Sequence, residues 1–215
     1  MVAGQPSGAE VKSMSRNTKA KAKIVRNFSE NIFGQKKFDK ILARKPYPAG
    51  MHGKKMRRRH SGYGQQLKEK QKLRAIYDIT ERQFRHYYSV ARKTQTATGE
   101  KLLQILESRL DNFVFRSGFA PSRSAARQLV NHGHVLVDSR RLSIPSYLLK
   151  PGQVVVLSTK AQKIPYIAKL LEIKDLNVPK WIKRQAVAAQ FSRLPQRDEI
   201  DVNIQEQLIV EYYSR

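Results

Sequence analysis

Six arginines, Arg109, Arg116, Arg123, Arg127, Arg140 and Arg141, punctuate the stretch from Leu102 to Leu142. A guanidinium keeps its charge and presents paired donors that match a phosphate, so this series offers anion binding rather than proton transfer. A second cluster lies upstream in HGKKMRRRH, His52 to His60, which holds Lys54, Lys55, Arg57, Arg58 and Arg59. That run is too charged to be buried without partners. It reads as a loop that becomes ordered against phosphates, the alternative being a flexible tail or localisation signal. Other chemistry has little to build on. Five histidines and no cysteine exclude disulfides, thiolate nucleophiles and the usual cysteine zinc site. His132 and His134 flank a glycine but lack a distant partner at metal-ligand spacing. There is no GxxxxGK[ST] loop, GxSxG elbow or HExxH helix. No catalytic residue, metal, cofactor or small-molecule substrate is therefore expected.

The elements that would carry the arginines follow from periodicity. Leu102, Leu106, Leu110 and Phe113 share one face of a first helix, which Gly118 stops. Ser122 caps a second helix, Arg123–His132, and Gly133 ends it. The six arginines are expected to face outward from this frame. Val135–Val137 begins a strand, and Asp138 and Ser139 make a hairpin turn before Arg140. Val154–Leu157 is a dense β-branched strand, and Pro165 opens a short helix through about Glu172. Trp181 and Ile182, then Val187, Ala189 and Phe191, could extend the sheet.

Upstream, residues 1–60 carry 16 Lys and Arg against three acids, without sustained periodicity. A helical turn or two is expected in Lys36–Arg44, with Phe38, Ile41 and Leu42 as its apolar side. Tyr63 to Tyr77 is a helix, and Thr80 caps another with Gln83 in the capping-box position. Phe84, Tyr87, Tyr88 and Ala91 recur at helical spacing, which favours core over base stacking. The polar linker Thr94 to Gly99 divides a helical first domain, 46–94, from a second, 99–192, and 1–45 is a basic extension. The end changes sign: Asp198 to Arg215 holds five acids and one arginine. Its helix, starting near Asn203, is unsuited to a polyanion and is expected to pack back on the basic first domain or to meet a protein. The fold class is α+β, with helices on a small, mostly antiparallel sheet.

The whole chain, 215 residues with a formal charge of +25 and 40% hydrophobic residues, can bury a core while attracting polyanions. No run approaches the roughly 18 apolar residues of a spanning helix, and no membrane partner is expected. The N-terminus has no apolar core followed by a cleavage site, so a cytoplasmic protein is the simplest expectation, an organellar one less so.

The stretch RLDNFVFRSGFAPSRSAARQLVNHGHVLV closely resembles the RNA-binding motif that opens the second domain of small-subunit ribosomal protein four. The likeness extends to GQQLKEKQKLRAIYDITERQFRHYY, to the basic loop PAGMHGKKMRRRHSGYG before it, to IPSYLLKPG and to the ending VNIQEQLIVEYYSR. It covers most of residues 46–215 in order. The resemblance implies a primary rRNA-binding protein that nucleates small-subunit assembly by holding a multi-helix junction. It also implies contact with ribosomal protein five and an influence on decoding accuracy. Many relatives place zinc-binding cysteines near the start. This chain has none, so zinc is not carried over. Ser139 stands where the family often has glycine. The rRNA contacts expected are Lys54, Lys55, Arg57, Arg58, Arg59, Arg109, Arg116, Arg123, Arg127 and Arg141. The alternatives are an RNA-modifying enzyme, since RLD (Arg109-Leu110-Asp111) also occurs at the catalytic aspartate of pseudouridine synthases, and a free RNA-binding factor. No segment is left for a separate catalytic domain, so Asp111 reads as a helix-surface residue paired with a nearby arginine.

Overall fold

A computed structural model describes residues 20–55, 61–173 and 177–214. The described chain runs α1 (Lys21–Phe28), α2 (Lys36–Arg44), α3 (Gly62–Ile76), α4 (Glu81–Arg92), α5 (Thr98–Glu107), α6 (Leu110–Arg116) and α7 (Arg123–Asn131). The strands β1 (Val135–Val137), β2 (Arg140–Arg141) and β3 (Val154–Leu157) follow, then α8 (Thr159–Gln162) and α9 (Pro165–Glu172). The strands β4 (Ile182–Gln185) and β5 (Ala188–Phe191) precede the last helix, α10 (Glu206–Ser214).

Two helices of the first lobe begin at side-chain caps, one of them the Thr80 cap that the sequence predicts. The Thr80 hydroxyl accepts from the Gln83 amide at the head of α4, and Ser61 accepts from Gly64 at the head of α3. Each cap satisfies an amide that the helix cannot. The Phe84, Tyr87, Tyr88 and Ala91 stripe is buried, packed with Leu73 and Tyr77 of the α3 end. The last helix closes this core. Tyr213 stacks on Tyr88 at 4.5 Å and on Phe84 at 6.0 Å, and Ile200, Val202, Ile204 and Ile209 join the same cluster. The expected return of the C-terminal helix to the first domain is thus what the fold shows.

The second lobe packs α6 and α7 against an antiparallel sheet ordered β2-β1-β3-β5-β4. Period-2 alternation turns Val135, Val137, Val155, Leu157, Ala189 and Phe191 inward. Phe113 meets Trp181 and Phe191 there, the last pair edge-on at 5.6 Å between Trp181 and Phe191. At the β1–β2 turn both Asp138 (φ 47°) and Ser139 (φ 69°) are left-handed, the geometry of a two-residue hairpin that matches strand twist. Asp138 is anchored by accepting from the Val154 amide at 3.0 Å. Among the described residues Ser139 makes no such bond, and it bears the Cβ penalty of that region. Ser139→Gly is expected to raise stability by up to about 1 kcal/mol, read as a higher melting temperature with unchanged RNA affinity.

Three expectations need correction. Residues before 46 contain a helix, α1, that weak periodicity concealed, with Val25 and Phe28 buried. The helix foreseen from Leu102 to Phe113 is broken at Ser108–Arg109. Arg109 pairs as an isolated bridge with Leu148, and the Leu110 and Asp111 amides donate to the Tyr147 (2.8 Å) and Pro145 (3.1 Å) carbonyls. Those tertiary bonds replace the helical ones. The break moves the lobe boundary too. Leu102, Leu103 and Leu106 of α5 lie in the first core, while Leu110 and Phe113 lie in the second. The lobes therefore meet at Arg109 rather than at the 94–99 linker.

Candidate nucleic-acid interface

The two lobes are joined by a polar network built from the arginines that the sequence presents as surface residues. Arg109 is 1% exposed. Its guanidinium donates to Asp111 through Nε (3.0 Å) and Nη2 (2.8 Å), and through Nη1 to the Tyr87 hydroxyl of α4 (2.5 Å). Arg127 of α7 donates to the same Asp111 carboxylate at 3.0 and 2.7 Å and to the Asp78 carbonyl of the first lobe at 2.5 Å. Beside this cluster Glu107, fully buried, accepts from Tyr77 (2.6 Å), Asn112 (2.6 Å) and Arg116 (2.9 Å). Burial by itself would push the Glu107 carboxyl up. Arg116, then Arg123 and the Tyr77 hydrogen bond, outweigh it and hold the group below the usual carboxylate range. Arg123 donates to Asn112 at 2.7 Å and lies over Phe115 and Tyr77. The outward placement expected of Arg109, Arg116, Arg123 and Arg127 is corrected accordingly: each is spent on a carboxylate or amide, because a buried charge persists only when paired. Asp111 is paired with arginine as expected, but inside, at 3% exposure. Both of its oxygens are occupied by guanidinium donors, so neither is free to meet a substrate.

The free cations lie elsewhere. Arg140 and Arg141 are exposed on the hairpin edge. Arg141 donates to the His132 carbonyl at 3.0 Å, and its guanidinium occupies the place where a side chain at Gly133 (φ 65°) would project. The glycine thus seats the hairpin against the α7 end. In the first lobe Lys54 and Lys55 are exposed. The described part of their loop is already held from within: Arg26 donates to the Tyr47 (3.0 Å) and Pro48 (3.2 Å) carbonyls and lies over the Tyr47 ring. Gly53 packs so closely on the Pro48 carbonyl that a Cβ would meet it at 2.0 Å. Arg57, Arg58 and Arg59 lie outside the described residues. The basic extension also reaches the second lobe, where Lys21 donates to the Ser124 hydroxyl at 2.6 Å and Gln35 to the Pro121 carbonyl at 3.3 Å.

Between the lobes opens a cleft of about 630 Å³, lined on the α4 side by Arg82, Gln83, His86 and Tyr87 and on the other by Ser146 and Leu148. Sequence reading missed it. Tyr87 was legible as core, but Leu148 is brought opposite α4 only through its bridge to Arg109. The Thr80 cap was the one available signal, because it fixes which residues stand in the first turns of α4. Among the described residues no group of acids and histidines is arranged to hold a metal, and no helix is long and apolar enough to cross a membrane.

Comparison with known proteins gives a consistent picture. The family description "Ribosomal protein S4/S9 N-terminal domain" matches residues 16–107, and "S4 domain" matches residues 108–155. The chain is 46% identical to small ribosomal subunit protein uS4 of Porphyromonas gingivalis over 204 residues, 94% of this chain and all of that protein. It is 45% identical, with the same coverage, to the uS4 proteins of Parabacteroides distasonis and of a Geobacillus species.

Proposed function

The chain belongs to the uS4 family of small ribosomal subunit proteins, and from that premise we propose that it is a structural, rRNA-binding component of the small ribosomal subunit. The observation that supports this most is how its charge is divided. Arg109, Arg116 and Arg127 neutralise Asp111 and Glu107 in the seam, so the excess positive charge of a chain of net charge +25 falls to the lobe surfaces, where Lys54, Lys55, Arg140 and Arg141 are exposed. Two basic lobes with a fixed mutual orientation match the contour of folded RNA better than its sequence, since regular RNA helices display little but backbone. The protein holds a multi-helix junction of small-subunit rRNA in this way and performs no bond chemistry. Lys54, Lys55, Arg57, Arg58, Arg59, Arg140 and Arg141 are the phosphate contacts; Arg109, Arg116, Arg123 and Arg127 set the angle between them. By resemblance to the family, it acts in the cytoplasm, touches ribosomal protein five and contributes to decoding accuracy.

The test is crosslinking of the full chain to a mixture of small- and large-subunit rRNA transcripts of equal length. Crosslinks from Lys54, Lys55 and the Arg140–Arg141 hairpin to the small-subunit transcript alone are the expected result. Equal crosslinking to both transcripts would overturn the reading.

A further inference from the structure

We propose that the cleft between the lobes receives one unpaired nucleotide of the bound RNA, so that the protein reads a base as well as a backbone. The inference rests on the RNA-binding function proposed above. At about 630 Å³ the cleft lies within the range of small-ligand sites and is far too small for a duplex, whereas a splayed-out nucleotide is the form in which RNA offers its base edges to protein.

The lining divides as a nucleotide would require. Leu148 keeps 40% of its surface open on one side, an apolar wall that its bridge to Arg109 holds in place. The exposed His86 ring stands on the opposite wall beside Tyr87, the ring centres 5.9 Å apart. A base face can rest between such walls, as bases do on aromatic and apolar side chains elsewhere. Between them Gln83 and Ser146 supply an amide and a hydroxyl, and neither side chain has a hydrogen-bond partner among the described residues. Gln83 carries both a donor and an acceptor, the pair that reads the edge of a purine.

A second observation lies at the floor. Tyr87 is 6% exposed, and its hydroxyl accepts the Arg109 guanidinium proton at 2.5 Å. The phenol's own proton has no acceptor among the described residues. A buried donor left unspent is costly, and this one lies on the cleft, where a base carbonyl or a ribose oxygen would take it. Arg82, exposed at the rim, stands where the adjoining phosphate would pass. The charge balance agrees: Asp78, the acid in the lining, is within 3.4 Å of the Arg127 guanidinium.

The experiment compares the full chain with its Gln83→Ala and Leu148→Ala variants on a small-subunit rRNA transcript. It uses 2′-hydroxyl acylation and dimethyl sulfate to find protected nucleotides. Wild type is expected to protect an unpaired nucleotide whose protection both variants lose, with the rest of the footprint retained. Affinity should fall about 5- to 100-fold, the range of one lost base contact, and the dependence on salt should stay unchanged because no phosphate contact is removed. Variants that keep the whole wild-type footprint would overturn the proposal while leaving the RNA-binding function intact. A wild-type chain without any footprint on this transcript would overturn both.

Discussion

Glu107→Gln is expected to cost about 3–5 kcal/mol of folding stability, the loss typical of removing one partner from a buried ion pair. The substitution keeps the shape but leaves Arg116, whose side chain is 14% exposed, without its carboxylate. Tyr77 and Asn112 would face an amide that can accept only part of what the carboxylate accepts. Such a loss is a large fraction of the 5–15 kcal/mol that holds a typical domain together. It should appear in urea as a lower midpoint with an unchanged slope. Glu107→Gln with Arg116→Met should recover part of it, since an apolar replacement removes the stranded charge. A midpoint that stays at the wild-type value in the single variant would show that the seam carries no such pairing. The same group makes stability pH-dependent. The folded Glu107 carboxyl lies below its ordinary value of 4.5, so the unfolded chain binds the proton more readily. Its contribution is complete above the ordinary value and is lost as pH falls from there through the folded value. In Glu107→Gln the acid side of the stability profile should be flatter.

Binding to small-subunit rRNA should weaken by about 10³- to 10⁵-fold between 50 and 200 mM salt, the change expected when six to ten phosphates are neutralised. The mechanism is release of counterions, so the logarithmic slope counts contacts. This gives a way to separate the arginines that grip from the arginines that brace. Replacing Arg57, Arg58 and Arg59 together by glutamine should lower the slope by about three units, near one per lost phosphate. Arg109→Met should lower the melting temperature and leave the slope where it was, because that guanidinium is enclosed by Asp111 and Tyr87. A titration that is nearly flat in salt would contradict phosphate neutralisation as the source of affinity.

Much of the scaffold was legible in the chain. Caps at Thr80 and Ser122, the Pro165 start and the β-branched run Val154–Leu157 depend on neighbours a few residues away, and each element formed where those neighbours specify. The C-terminal helix was legible for the same reason. What escaped were decisions made across distance. Nothing near Ser108 announces that the Leu110 and Asp111 amides will leave the helix for the carbonyls of Tyr147 and Pro145. Arginine is ordinarily a surface residue, so its spacing suggests exposure. Whether it is buried depends on where a carboxylate arrives, and Asp111 and Glu107 each serve two elements at once. The cleft escaped for a related reason, since its walls come from residues more than fifty positions apart.

The closing of the first core by α10 has a consequence for synthesis. Leu73, Phe84, Tyr88 and Leu102 are all made before residue 110, yet the residues that cover them, Ile200 to Tyr213, are made some ninety residues later. The lobe formed by residues 108–192 can therefore mature on the translating ribosome while the older one waits with an open apolar groove. Nascent chains stalled before residue 200 should be the species that chaperones hold, and emergence of residues 200–213 should end that hold.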